Sequence, residues 1–120
     1  MSQLNILLFG IGKIGSAFVN TYLEKQLEIE QYKGIRLNLA AISNTGYVFW
    51  RNPNDQKHQW FADLENAYGA QQTEALILAF KDRFRENLVA IDPTSSDRLV
   101  KHYPFLIENQ FHIVSSNKQS

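Results

Sequence analysis

Cysteine is missing altogether from this chain. That excludes disulfides and thiolate metal sites, and it fits a reducing compartment. An excess of either charge is missing too. The 120 residues carry 12 Lys and Arg against 12 Asp and Glu, so no net field draws the chain to nucleic acid or to an anionic membrane. No apolar run approaches the roughly 20 residues that a membrane-spanning helix needs. The N-terminus lacks the basic-then-apolar order of a signal peptide, because the run from Leu4 to Phe9 is short and glycine follows at once. Internal repeats and low-complexity tracts are also absent. Together these absences lead us to expect a soluble, cytoplasmic protein with neither a nucleic-acid nor a membrane partner. What remains suits a single domain: 44% of the residues are hydrophobic, an ordinary share, and a chain of this size buries about 65% of its unfolded surface.

The apolar run Leu4–Phe9 does not alternate with polar residues, which predicts a strand buried on both faces, as in a parallel sheet. From Lys13 to Gln26, residues Ile14, Ala17, Phe18 and Tyr22, flanked by Val19 and Leu23, recur at helical spacing. That helix should stop before Gly34. Ile35–Ser43 reads as a second strand, and Asn44-Thr45-Gly46 as turn chemistry. Tyr47–Gln59 is harder to read: YVFWR suits a short strand, NPND suits a turn, and Trp60–Tyr68 suits a short helix. Gln72–Arg85 carries Ala75, Leu76, Ala79, Phe80 and Phe84 at helical spacing. Leu88–Ile91 is another buried strand. Asp97–Asn109 reads as a helix that Pro104 should kink or split, and Phe111–Val114 is a final strand. Strands alternating with helices imply right-handed crossovers and a parallel sheet. We therefore expect an α/β fold, a Rossmann-like, doubly wound, mostly parallel sheet of about four strands in three α/β/α layers. The first strand should be central, with the second on one side and the later two on the other.

The junction of the first strand and helix reads LNILLFGIGKIGSAF, which places Gly10, Gly12 and Gly15 in the order G-x-G-x-x-G. Three glycines so spaced carry little information alone. Between a strand and a helix they suit a dinucleotide pyrophosphate. Gly10 permits the tight turn, Gly12 lets the anion approach the backbone, and Gly15 lets helix and strand pack closely. The N–H groups around Ile11 to Ile14 face the anion, and Lys13 adds a positive charge. The alternative is a tight turn that binds nothing. An acid at the end of the second strand would bind the ribose of NAD, yet that end reads Ser43, Asn44, Thr45. Glu28 and Glu30 fall before the strand, and the nearest arginine beyond it is Arg51. Without the acid, nothing repels a 2′-phosphate, so the expectation is NAD(P) with a slight lean to NADP.

Two further segments, VAIDPTSSD from Val89 to Asp97 and HYPFLIENQFHIVSSNK from His102 to Lys118, join the glycine motif and AAISNT in a wider pattern. In that order they resemble homoserine dehydrogenase, most closely the dehydrogenase part of the fused aspartokinase–homoserine dehydrogenases. The resemblance covers nearly the whole chain. It implies an NAD(P)-binding domain, 1–120, of an oxidoreductase that moves hydride between NAD(P) and homoserine or aspartate semialdehyde in amino-acid biosynthesis. It implies that Asn44 and Thr45 face the cofactor, that Thr94 and Ser95 lie by the nicotinamide ribose, and that Asn117 and Lys118 close the site. Lys118 would be the family's first catalytic lysine, orienting substrate and passing a proton; taken alone it reads as a solvated terminal lysine. Ser96 reads equally as a helix cap. The family's substrate and dimerisation domain, with its second catalytic lysine, acidic substrate residues and metal site, is not within these residues. The fragment is therefore expected to be inactive alone, with an open sheet edge that offers pairing into a homodimer. Pro93 stands where the family has cysteine, Lys13 where it most often has asparagine, and Ser115-Ser116 where Thr-Pro or Ser-Ala is usual.

Other constellations are weaker. His58, His102 and His112 are too far apart for a helix-borne metal pair. Ser95 and Ser96 lack the context of a nucleophile elbow. Trp50 and Trp60 are expected to pack their segment onto the sheet or to mark a contact surface, Phe80 and Phe84 to face the core, and KDRFRE, Lys81 to Glu86, to be a solvated helix face. The competing functional class is a stand-alone dinucleotide-binding or sensing module without hydride chemistry.

Overall fold

The computed structural model describes residues 2–10, 13–44, 47–50, 68–69, 73–93 and 99–115. Strand β1 (Ser2–Phe9) leads into helix α1 (Lys13–Lys33), then β2 (Ile35–Asn44), β3 (Tyr47–Trp50) and β4 (Tyr68–Gly69). Helix α2 (Thr73–Phe84), β5 (Leu88–Asp92), a 3-10 turn (Val100–His102), α3 (Tyr103–Glu108) and β6 (Phe111–Ser115) follow. They build one six-stranded sheet in the order β4-β3-β2-β1-β5-β6. The four strands expected from the sequence, β1, β2, β5 and β6, pair in parallel. β1 is central as expected, with β2 on one side and β5 and β6 on the other.

The two faces of β1 explain its unbroken apolar run. Ile6 and Leu8 pack with Val19 and Tyr22 of α1. Leu7 and Phe9 pack on the opposite side with Leu76, Ile77 and Phe80 of α2 and Leu106 of α3. The sheet is therefore covered on both faces, the three-layer arrangement that right-handed crossovers in opposite directions produce. Ile6 lies opposite Leu39 and Leu7 opposite Ala41, so Ala40 is an extra residue in β2. This bulge turns Ala40 and Ala41 to the α2 face together, while Leu39 and Ile42 face α1. Beside it, the Tyr22 hydroxyl donates to the Leu37 carbonyl at 3.1 Å and accepts the Leu39 N–H at 3.5 Å, tying α1 to β2. Gly34 ends α1 at φ 64°, its N–H bonded to the Glu30 carbonyl at 3.1 Å, a left-handed helix stop.

The structure corrects several expectations. The short strand expected in YVFWR is present as β3, but it pairs antiparallel with β2 and with β4, a strand that was not expected, so the sheet extends beyond four strands. The helix expected over Trp60–Tyr68 lies outside the described residues up to position 67, and Tyr68 itself begins β4. Ala17, Ala75 and Ala79, assigned to the buried helix faces, are exposed. The buried stripe of α2 is Leu76, Ile77 and Phe80, because larger side chains gain more from burial than alanine does. The expected helix Asp97–Asn109 is, in its described part, the 3-10 turn and α3. Pro104 occupies the first turn of α3, where its missing N–H costs nothing, so of the two expected outcomes the segment is split and not kinked.

Phe80 and Phe84 do face the core. Phe80 is fully buried, with ring centroids 6.0 Å from Trp50, 4.7 Å from Phe84 and 5.8 Å from Phe111. Trp50 thus packs β3 onto the sheet as expected, and the Arg83 guanidinium caps its outer ring face at 4.4 Å. Trp60 lies outside the described residues.

Candidate functional site

Parallel strands bring their carboxyl ends to one edge of the sheet. Phe9 pairs with Ser43, and Asp92 with Ser115, so β1, β2, β5 and β6 all end there. The chain diverges at β1, leaving to β2 on one side and to β5 on the other, and ligands of open α/β sheets bind at that reversal. The sequence-derived site residues that are described fall at these ends. Gly10 follows β1, Asn44 ends β2, and Lys13, Ile14 and Gly15 form the first turn of α1. Ile11, Gly12, Thr45, Thr94, Ser95, Asn117 and Lys118 lie outside the described residues, as does Ser96.

Gly10 begins the turn out of β1. Gly10 has φ 105°, a conformation closed to most side chains. Its N–H donates to the Ser43 carbonyl at 2.6 Å, which holds the end of β2 beside the turn. Only two residues separate Gly10 from the start of α1, and that first helical turn carries no acid. The positive end of the helix dipole is therefore left available for an anion.

The β5–β6 side of the same edge holds a polar cluster to which the sequence reading gave no role. Asp92 has 0% exposure, and the Tyr103 hydroxyl donates to its Oδ2 at 2.7 Å. Ser115, the strand partner of Asp92, hydrogen-bonds to the same phenol. Burial, reinforced by the hydrogen bond and the charge of Asp92, raises the Tyr103 pKa above its ordinary 10.0, while Ser115 pulls it the other way. Tyr103 therefore remains a donor at neutral pH. The signal available in the sequence was an acid at the end of an otherwise apolar strand, LVAID, since a carboxylate buried there demands a partner.

At the opposite edge, Leu78, Lys81, Asp82, Arg85 and Asn109 line a shallow cleft of about 400 Å³. It lies beside the amino ends of β5 and β6, away from the strand ends that carry the candidate site. Among the described residues no cluster of His, Asp and Glu is arranged to hold a metal ion; His58 is outside them.

Comparison with known proteins agrees with this geometry. The family model for the homoserine dehydrogenase NAD-binding domain matches residues 10–120. The bifunctional aspartokinase/homoserine dehydrogenase of Buchnera aphidicola is 32% identical over 117 residues, 98% of this chain and 14% of that protein. The bifunctional aspartokinase/homoserine dehydrogenase 2 of Escherichia coli is 24% identical over 97% of this chain and 14% of its own length. The chain thus spans about one-seventh of these relatives. A hyperthermophilic archaeal homoserine dehydrogenase solved with NADPH superposes with a TM-score of 0.72 at 21% identity, covering 97% of this chain and 36% of that one. Homoserine dehydrogenase from S. aureus at pH 6.0 superposes at 0.64 and 21%, covering 100% and 28%. These two structures share the fold. With its sheet, its glycine turn and nearly its full length matched, the chain belongs to the homoserine dehydrogenase NAD-binding domain family.

Proposed function

We propose that this chain binds NAD(P) across the carboxyl edge of its sheet and presents the nicotinamide for hydride exchange with homoserine or aspartate semialdehyde in a larger enzyme. The observation that carries this reading is Gly10 at φ 105° between β1 and α1, its N–H held by Ser43. The bound dinucleotide supplies the hydride acceptor or donor. The protein's own groups bind and orient it. N–H groups of Ile11, Gly12, Lys13 and Ile14 meet the pyrophosphate, and Gly15 lets α1 sit close to the sheet. Asn44 and Thr45 meet the adenosine ribose, and Thr94 and Ser95 the nicotinamide ribose. Asn117 and Lys118 border the reacting carbon, where Lys118 orients substrate and carries the proton that accompanies hydride transfer. The neutral end of β2 supports a modest preference for NADP, and the cysteine-free composition supports the cytoplasm.

Calorimetric titration of the 120-residue chain with NAD, NADH, NADP and NADPH tests the reading. Binding is expected, with the NADP pair favoured by less than about tenfold, or about 1.4 kcal/mol. Gly12→Val places a side chain where the pyrophosphate approaches the backbone; it should abolish binding while the circular dichroism spectrum is retained. Unchanged affinity in that variant would remove the glycine loop from the site.

A further inference from the structure

We propose that Tyr103 is a positioning residue: by binding Asp92 and Ser115 together it locks the last rung of β5 and β6 and so sets the nicotinamide half of the dinucleotide site. The proposal rests on the dinucleotide reading above and deepens it.

The argument begins with register. Asp92 and Ser115 are the final paired residues of two parallel strands. Thr94 and Ser95 follow Asp92 by two and three residues, and Asn117 and Lys118 follow Ser115 by the same intervals. This rung is therefore the last described one before both segments assigned to the nicotinamide end. A parallel rung at its last residue has no further ladder bonds to hold it. Here Tyr103, the first residue of α3, reaches over both strands. Its hydroxyl donates to Asp92 Oδ2 at 2.7 Å and shares a hydrogen bond with Ser115. The phenol is partly buried against the α2-side core, so its ring is held as well as its hydroxyl. A hydrogen bond to a buried carboxylate is among the stronger kinds.

Topology assigns the half-site. The glycine turn at the end of β1 takes the pyrophosphate, and the end of β2 takes the adenosine ribose. The remaining half of the ligand must lie over β5 and β6, where the Tyr103 cluster is. Its loss should weaken ligands that carry nicotinamide and its ribose, and leave ligands that stop at the pyrophosphate.

Tyr103→Phe removes the hydroxyl and keeps the ring. Ser115→Ala removes one arm and leaves the Asp92 bond in place, so it serves if the first variant folds poorly. The probes are NADPH and NADH against ADP, which has the adenosine and pyrophosphate alone. Tyr103→Phe is expected to weaken the dinucleotides about tenfold, the scale of one charged hydrogen bond, and ADP less than about twofold. Ser115→Ala should show a smaller loss with the same selectivity. Equal weakening of ADP and the dinucleotides would make Tyr103 an ordinary stabilising residue and overturn the proposal, as would no weakening at all. Amide exchange of the unliganded protein gives the second readout: protection at Asp92 and Ser115 should fall in Tyr103→Phe while Leu8 and Leu39 keep theirs. If the parent chain binds none of the probes, the dinucleotide reading fails, and unchanged protection at Asp92 and Ser115 then overturns the lock independently.

Discussion

Tyr103 shows how one hydroxyl links local chemistry to pH response. Its phenol has a folded-state pKa above the ordinary 10.0, chiefly because burial disfavours the phenolate and Asp92 repels it. A raised pKa means that the folded state holds the proton more tightly than the unfolded state. The stabilisation is therefore complete below about pH 10 and is lost as pH rises through the folded value. Melting temperatures measured from pH 8 to 11.5 should fall more steeply for the parent chain than for Tyr103→Phe, which has no proton to lose. Parallel curves would show that the phenol titrates alike in both states. Gly10 is the second residue whose identity follows from its surroundings, since φ 105° leaves little choice at the turn.

At the scale of the element, α2 joins the added strands to the parallel sheet. Phe80 is fully buried among Trp50, Phe84 and Phe111, so it touches β3 on one side and β6 on the other. Leu78, two residues earlier on the same helix, is 50% exposed. Phe80→Ala should cost about 3–5 kcal/mol, whereas Leu78→Ala should stay within about 0.5 kcal/mol, both read from urea midpoints. Equal costs would mean that the helix presents a different face. The termini of α2 agree with its dipole, with Glu74 in the first turn and Lys81 and Arg83 in the last.

At the scale of the whole molecule, binding and turnover should separate. Only Lys118 of the catalytic residues that the resemblance implies is among these 120 residues, and the chain spans 14% of its curated relatives. Holding substrate against the cofactor accounts for about 7–11 kcal/mol of barrier lowering, and that positioning needs groups beyond this sheet. The 120-residue chain, mixed with homoserine and NAD or NADP, should bind cofactor without appreciable growth of reduced-cofactor absorbance. Turnover near one per second, within the range of intact enzymes, would mean that this chain builds a substrate site of its own.

The sequence alone determined the parallel core of this protein. Leu4–Phe9 and Leu88–Ile91 declare strands because burial on both faces demands an unbroken apolar run; Ile35–Ser43 alternates before it turns apolar, and the edge strand at Phe111–Val114 fully buries only Phe111. The glycine spacing at Gly10 declares the turn because φ and close approach restrict that position to glycine. Tertiary structure alone decided the rest. β3 was legible as the short strand in YVFWR, but its antiparallel pairing with β2 and with the two-residue β4 had no signal in the chain. The buried face of α2 depended on which neighbours Leu76, Ile77 and Phe80 meet, and the alanines at 75 and 79 mimic that face in a one-dimensional pattern. The roles of Asp92, Tyr103 and Ser115 arise from residues 23 positions apart in the chain. Only the alignment of β5 with β6 and the placement of α3 over their ends bring the three together, since a buried carboxylate is satisfied in space and its partners leave no spacing in the chain.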